Sequence, residues 1–102
     1  MNVKALTTKQ QKYLRGLAHD LKPVAYVGQH GLSDAVVKDI DRALDDHELI
    51  KVRFVDYKDE KKLLSDTIAR RTGAALLGIK GHLACFYRRS VRERSQCLVL
   101  PE

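Results

Sequence analysis

The chain has 102 residues, with 19 lysines and arginines against 13 acids, for a net charge of +6. That length makes one domain, and 44% hydrophobic residues supply one core without disulfide staples. No apolar run approaches the roughly 18 residues of a membrane span. No apolar leader follows Lys4, and Cys85 and Cys97 form neither a disulfide framework nor a metal spacing, so a reducing, cytoplasmic location is the expectation.

Thr7 or Thr8 caps a first helix, with Gln10 or Gln11 completing a capping box. Tyr13, Leu14, Leu17, Ala18 and Leu21 recur at helical spacing and predict its buried face. Lys12, Arg15, His19 and Lys22 follow one row and predict a basic stripe. Lys22 falls past the helix end, because Pro23 disfavours helix for the residue before it. Val24 to Val27 is β-branched and aromatic and reads as the first strand.

The strand runs into Gly28-Gln29-His30-Gly31, and Ser33 then caps a second helix with Asp34 at its positive end. Two glycines let backbone come within hydrogen-bonding distance of a phosphate, and the helix start offers free N–H groups. A bare strand-to-helix turn has the same letters, so this loop needs support from its surroundings. No Gly-Lys-Ser/Thr follows, which excludes a nucleotide-binding P-loop.

Val37, Ile40 and Leu44 make the core stripe of the second helix, which ends near His47; Leu32 and Val37 sit at staple positions. Ile50 to Phe54 alternates apolar and basic residues, placing Lys51 and Arg53 together on the face away from the core. A third helix starts between Asp56 and Asp59, with Leu64 and Ile68 in its apolar row and Asp66 paired to Arg70. Gly73 stops it. Ala75 to Ile79 and His82 to Tyr87 make a hairpin turning at Lys80-Gly81, before the arginine-rich stretch Arg88, Arg89, Arg92, Arg94. The order α-β-α-β-α-β-β predicts an α/β fold: a small two-layer sandwich with a mixed four-stranded sheet.

The charge is uneven. Residues 1–32 carry +4, residues 33–48 carry −4, and residues 49–73 and 80–94 carry +3 and +4. A basic surface set apart from one acidic helix fits a polyanion on one side of the molecule. His19, His30, His47 and His82 have no acid at a catalytic or metal-ligand spacing, which argues against catalysis and against a metal. Tyr26, Tyr57, Phe86 and Tyr87 are candidates for base stacking, with core burial the simpler reading for Phe86.

Several segments resemble one family. Leu14-Arg15-Gly16-Leu17-Ala18-His19 with Leu21-Lys22-Pro23-Val24, Gly28-Gln29-His30-Gly31-Leu32-Ser33, His47-Glu48-Leu49-Ile50-Lys51-Val52, Thr72-Gly73-Ala74 and Tyr87-Arg88 resemble, in order and spacing, the CRM domain in its stand-alone bacterial YhbY-like form. The resemblance spans roughly residues 6–95. It implies an RNA-binding module with a fold similar to the C-terminal domain of translation initiation factor three. It also implies association with precursors of the large ribosomal subunit, or, as in plant relatives, with introns. None of these roles is enzymatic. Two departures stand out: Gln29-His30 and Gly81-His82 occupy places where the family often has a lysine.

The expectation is therefore a non-enzymatic RNA-binding protein without a cofactor. Residues 1–95 would form the domain, and 96–102 an extension packed on it or trailing from it. The partner would be ribosomal RNA in large-subunit precursors; alternatives are another transcript, a small nuclease, or an adaptor using the acidic helix. The candidate RNA contacts are Gly28, Gln29, His30, Gly31, Lys12, Arg15, Lys22, Lys51, Arg53, Arg88 and Arg89.

Overall fold

A computed structural model describes residues 6–89 and 98–101. Helix α1 spans Thr8–Ala18, strand β1 Ala25–Val27, helix α2 Asp34–His47 and strand β2 Leu49–Phe54. Helix α3 spans Lys61–Thr72, preceded by one 3₁₀ turn at Lys58–Glu60; strands β3 (Ala75–Lys80) and β4 (Leu83–Tyr87) follow. The order is the one expected. The four strands form one mixed sheet in the order β1-β2-β4-β3, with β1 parallel to β2 and the other pairs antiparallel.

The capping residues act as their chemistry predicts. Thr7 Oγ1 accepts from the Gln10 amide and Gln10 Oε1 accepts from the Thr7 amide, both at 3.0 Å, closing a capping box. Ser33 Oγ accepts from the Val36 amide at the start of α2. Gly73 ends α3 in the left-handed region at φ +73°, where a side chain would be strained.

Alternation divides the sheet into two faces. Ala25, Val27, Ile50, Val52, Phe54, Ala84 and Phe86 point toward Ile40 and Leu44 of α2 and Ile68 of α3, forming the main core. The opposite face carries Leu49, Ala75, Leu77 and Tyr87, which pack with Leu6 and with Leu14 and Ala18 of α1. The two-layer expectation describes the sheet with α2 and α3; α1 lies across part of the other face. Leu98 and Leu100 pack against this second cluster, and Glu48 Oε1 and Pro101 O accept from the Leu98 amide and Gln10 Nε2.

Three local expectations change. Tyr13, Leu17 and Leu21 are exposed, because only the Leu14–Ala18 edge of α1 meets the sheet. Asp66 pairs with Lys62 at 2.9 Å, one turn back, while Arg70 donates to Thr67 Oγ1. The hairpin turn is Gly81-His82, with Gly81 at φ +59°, the glycine-first arrangement of a tight hairpin.

Arg88 leaves the end of β4 and reaches back to α2. Its guanidinium contacts Asp41 Oδ1 at 2.5 Å and Asp45 Oδ1 at 2.9 Å, and donates to the carbonyls of Thr72 and Asp41. Its side chain is only 17% exposed. One planar cation thus ties together the last turn of α3, the middle of α2 and the end of the sheet. Arg88→Ala is expected to lower unfolding free energy by about 2 kcal/mol, since the Thr72 carbonyl and two carboxylates lose a charged donor. A shifted urea midpoint at unchanged slope would show it; a shift under about 0.5 kcal/mol would make the cluster ornamental.

Candidate nucleic-acid interface

The Gly28–Gly31 loop leaves the C-terminal end of β1 and turns tightly, its Gly31 amide donating to the Gly28 carbonyl at 3.0 Å. Gly31 has φ +62°, so it must be glycine or pay backbone strain. Gly28 is different. Its φ lies outside the left-handed region, and a Cβ there would meet nothing within 4 Å. Nothing inside the described protein demands glycine at this position, which leaves backbone accessible to an external partner.

Tyr57 braces the loop from the opposite side. Its hydroxyl donates to the Gln29 carbonyl at 2.9 Å, and its ring edge would lie 3.6 Å from a Cβ on Gly31. Tyr57 itself sits at φ +56°, an unfavourable conformation for an aromatic residue. Val55 and Asp56 amides both donate to the Val27 carbonyl, so the segment after β2 is tied to the segment after β1. The sequence marked Tyr57 for stacking on bases; the structure gives it a positioning contact while leaving it 45% exposed.

All three charged residues of the strands are basic: Lys51, Arg53 and Lys80. All three project from the face opposite α2 and α3. Lys51 and Arg53 alternate with the buried Ile50, Val52 and Phe54, and Lys80 is the cross-strand partner of Leu83, which in turn faces Arg53. Lys51 Nζ donates to the His19 carbonyl at 3.0 Å and so caps the end of α1. Arg15 of α1 lies over Gly78 and donates to the Leu77 carbonyl at 3.4 Å. Arg15, Lys51 and Lys80 thereby line one cleft of about 300 Å³ between α1 and the sheet.

The expected site residues fall into two groups. Gly28, Gln29, His30 and Gly31 lie at the end of the sheet where β1 and β2 finish; Arg53 lies beside them, and Lys51 and Arg15 one step inward. Gln29 and His30 are exposed, with their side-chain nitrogens 3.4 Å apart. Lys12 is an exposed α1 residue, while Lys22 precedes β1 and lines a separate cleft with Leu17, Leu21 and Leu98. Arg88 and Arg89 lie at the far end of the sheet, where Tyr87 pairs with Leu49; Arg89 is exposed and Arg88 is held by α2. Arg92 and Arg94 lie outside the described residues. Phe86 and Tyr87 are fully buried, which removes them as stacking surfaces.

Two titrating groups have shifted proton affinities. His82 is lowered, first by desolvation and then by the positive charges of Lys61, Lys58 and Arg53. The exposed His82 ring is therefore mostly neutral at pH 7. Cys85 lines the cleft half-buried, and burial raises its thiol to about 11, outweighing Lys51 and Arg15. It stays protonated and inert at neutral pH.

Among the described residues no group of three or more histidine, cysteine or acidic side chains could hold a metal ion. No helix in that set is long and apolar enough to cross a membrane.

The family model for the CRS1/YhbY (CRM) domain matches residues 6–88. The chain belongs to the CRS1/YhbY (CRM) family. An RNA-binding protein of Haemophilus influenzae is 41% identical over 92 residues, covering 89% of this chain and 93% of its own length. A Pseudomonas aeruginosa protein named a probable RNA-binding protein is 37% identical, covering 84% of each chain. The solution structure of a hypothetical protein from Staphylococcus aureus superposes with a TM-score of 0.78 at 36% identity, covering 94% of this CRM chain and 99% of the other. The three-helix, four-stranded mixed arrangement is therefore that of the family.

Two substitutions separate the roles of the loop's supports. Tyr57→Phe removes one donor and is expected to cost about 1 kcal/mol and speed amide exchange at Gly31. Gly31→Ala is expected to cost about 1–2 kcal/mol through backbone strain. Hydrogen exchange and denaturant titration check both; protection at Gly31 unchanged by Tyr57→Phe would remove the brace.

Proposed function

We propose that this CRM protein binds RNA without chemical turnover, gripping the backbone with the Gly28–Gly31 loop and the open basic face of the sheet. The observation that carries this reading is charge segregation across the sheet. Every charged strand residue is a cation on one face, while the acid-rich α2 lies behind the other. A phosphate chain meets attraction on the open face and repulsion along α2, while α3 beside it carries Lys61, Lys62, Arg70 and Arg71 against Asp66.

The loop contributes shape and amide donors rather than charge. Gln29 is neutral, and the Asp34 carboxylate at the start of α2 is paired with Arg71 at 3.2 Å. Arg53, Lys51, Arg15 and Lys80 supply positive charge nearby, with Lys12, Lys22 and Arg89 adding a wider field. Arg88, held by Asp41 and Asp45, serves the fold in this reading. The target we infer is ribosomal RNA in large-subunit precursors. The family resemblance over residues 6–88 supports it, and the RNA-binding names of the relatives support the RNA class.

Gly28→Ala introduces a methyl into open space, so folding stability should stay within about 0.5 kcal/mol while affinity for ribosomal RNA falls. Replacing Gln29 and His30 together with Asp should weaken binding further. With about four phosphates neutralised, log affinity should fall with log salt at a slope near −3. Unchanged affinity in both variants would remove the loop from the interface. Co-sedimentation with large-subunit precursors in a sucrose gradient separates a ribosomal target from another transcript.

A further inference from the structure

One row of residues crosses the open face from edge to edge. Tyr26 on β1 is the register partner of Arg53 on β2, Arg53 of Leu83 on β4, and Leu83 of Lys80 on β3. The row therefore reads aromatic, cation, aliphatic, cation. Helix α1 covers the neighbouring part of this face but leaves the row open. Tyr26 is 54% exposed, although its neighbours Ala25 and Val27 are in the core. Among the described residues neither Arg53 nor Lys80 has an acidic partner.

The composition of the row suits one kind of occupant. An exposed ring flanked by a guanidinium offers a stacking surface to a base, since every base has a π-face. Bases within a duplex are already stacked and cannot reach it; unpaired ones can. Unpaired cations on the same face match the phosphates on either side. The row also starts two residues before Gly28, so a backbone held by the loop continues directly onto Tyr26. Behind the row, Lys80 and Leu83 border the cleft under α1, whose volume of about 300 Å³ is at the lower end of small-ligand sites, roughly 300–1,000 Å³.

We infer that the Tyr26–Arg53–Leu83–Lys80 row seats an unpaired nucleotide of the bound RNA, its base stacked on Tyr26 and its flanking phosphates on Arg53 and Lys80. This rests on the RNA-binding reading and adds a selectivity to it: the preferred RNA carries a bulge or loop beside the segment held by Gly28–Gly31.

The test uses the full chain and two RNAs, a fully paired duplex and the same duplex with one unpaired, fluorescent aminopurine. The wild-type protein should bind the bulged RNA about tenfold more tightly and quench the aminopurine. Tyr26→Ala should abolish both the preference and the quenching while keeping duplex affinity. Tyr26→Phe, which retains the ring, should keep both. Thermal unfolding of the two variants confirms that an exposed substitution leaves the fold intact. Equal wild-type affinity for the two RNAs, or a preference that survives Tyr26→Ala, overturns the inference and leaves RNA binding standing. No binding to either RNA overturns both.

Discussion

The alternation along β2 is the constraint on which the rest of the molecule depends. Ile50, Val52 and Phe54 are buried to within 1% of full coverage, so Lys51 and Arg53 have only the other face to occupy. β2 is a central strand, paired with β1 on one side and β4 on the other. A one-residue slip would bury two cations and expose three large apolar side chains, which no local adjustment could offset. Hydrophobic burial thus fixes where positive charge is displayed. The same step sets the position of the Gly28–Gly31 loop, because β1 is held parallel to β2 and ends where β2 ends.

Several cations in this CRM domain have a second job. Lys51 closes the carbonyl end of α1, and Arg15 lies along the sheet with its guanidinium at the Leu77 carbonyl. Each holds the helix in place with the charge that also faces solvent. Carbonyl contacts leave that charge largely uncompensated, unlike a carboxylate contact. Arg88 shows the contrast. Two carboxylates pair with it and its side chain is mostly buried, so its charge is compensated within the fold. Whether a basic residue serves the fold or the surface is decided here by the acidity of what it touches.

This distinction explains what could and could not be read from the sequence. The starts of α1 and α2 were legible because Thr7, Gln10 and Ser33 act within three residues of themselves, while α3 begins at Lys61 without a side-chain cap, later than Asp56 to Asp59 suggest. The strand face of Lys51 and Arg53 was legible because period-two alternation is local. Arg88 was not, since Asp41 and Asp45 are 47 and 43 residues away in the chain. Lys80 was not either, because the Lys80-Gly81 pair reads as a turn, whereas β3 runs through Lys80 with a register shift between Leu76 and Gly78. Strict alternation from Ala75 would put Lys80 in the core with Leu76; the extra residue instead sends Ile79 to the core and Lys80 to the open face. Tyr57 gave no signal of its brace, because its left-handed backbone follows from tertiary contacts and not from propensity.

The two glycines of the loop show how structure sharpens a weak motif. By letters they are equivalent. By conformation, Gly31 is required internally: its positive φ turns the chain toward Leu32 and the capped start of α2, and Tyr57 packs against the space a side chain would need. Gly28 is not required internally, since a methyl there would touch nothing and strain nothing. A residue that the fold leaves free to vary can still be constrained by what approaches from outside. The Gly28 surface lies at the end of β1, two residues beyond Tyr26, where the basic face begins. The loop's shape is thus set by Gly31 and Tyr57, and Gly28 is the position where that shape stays open.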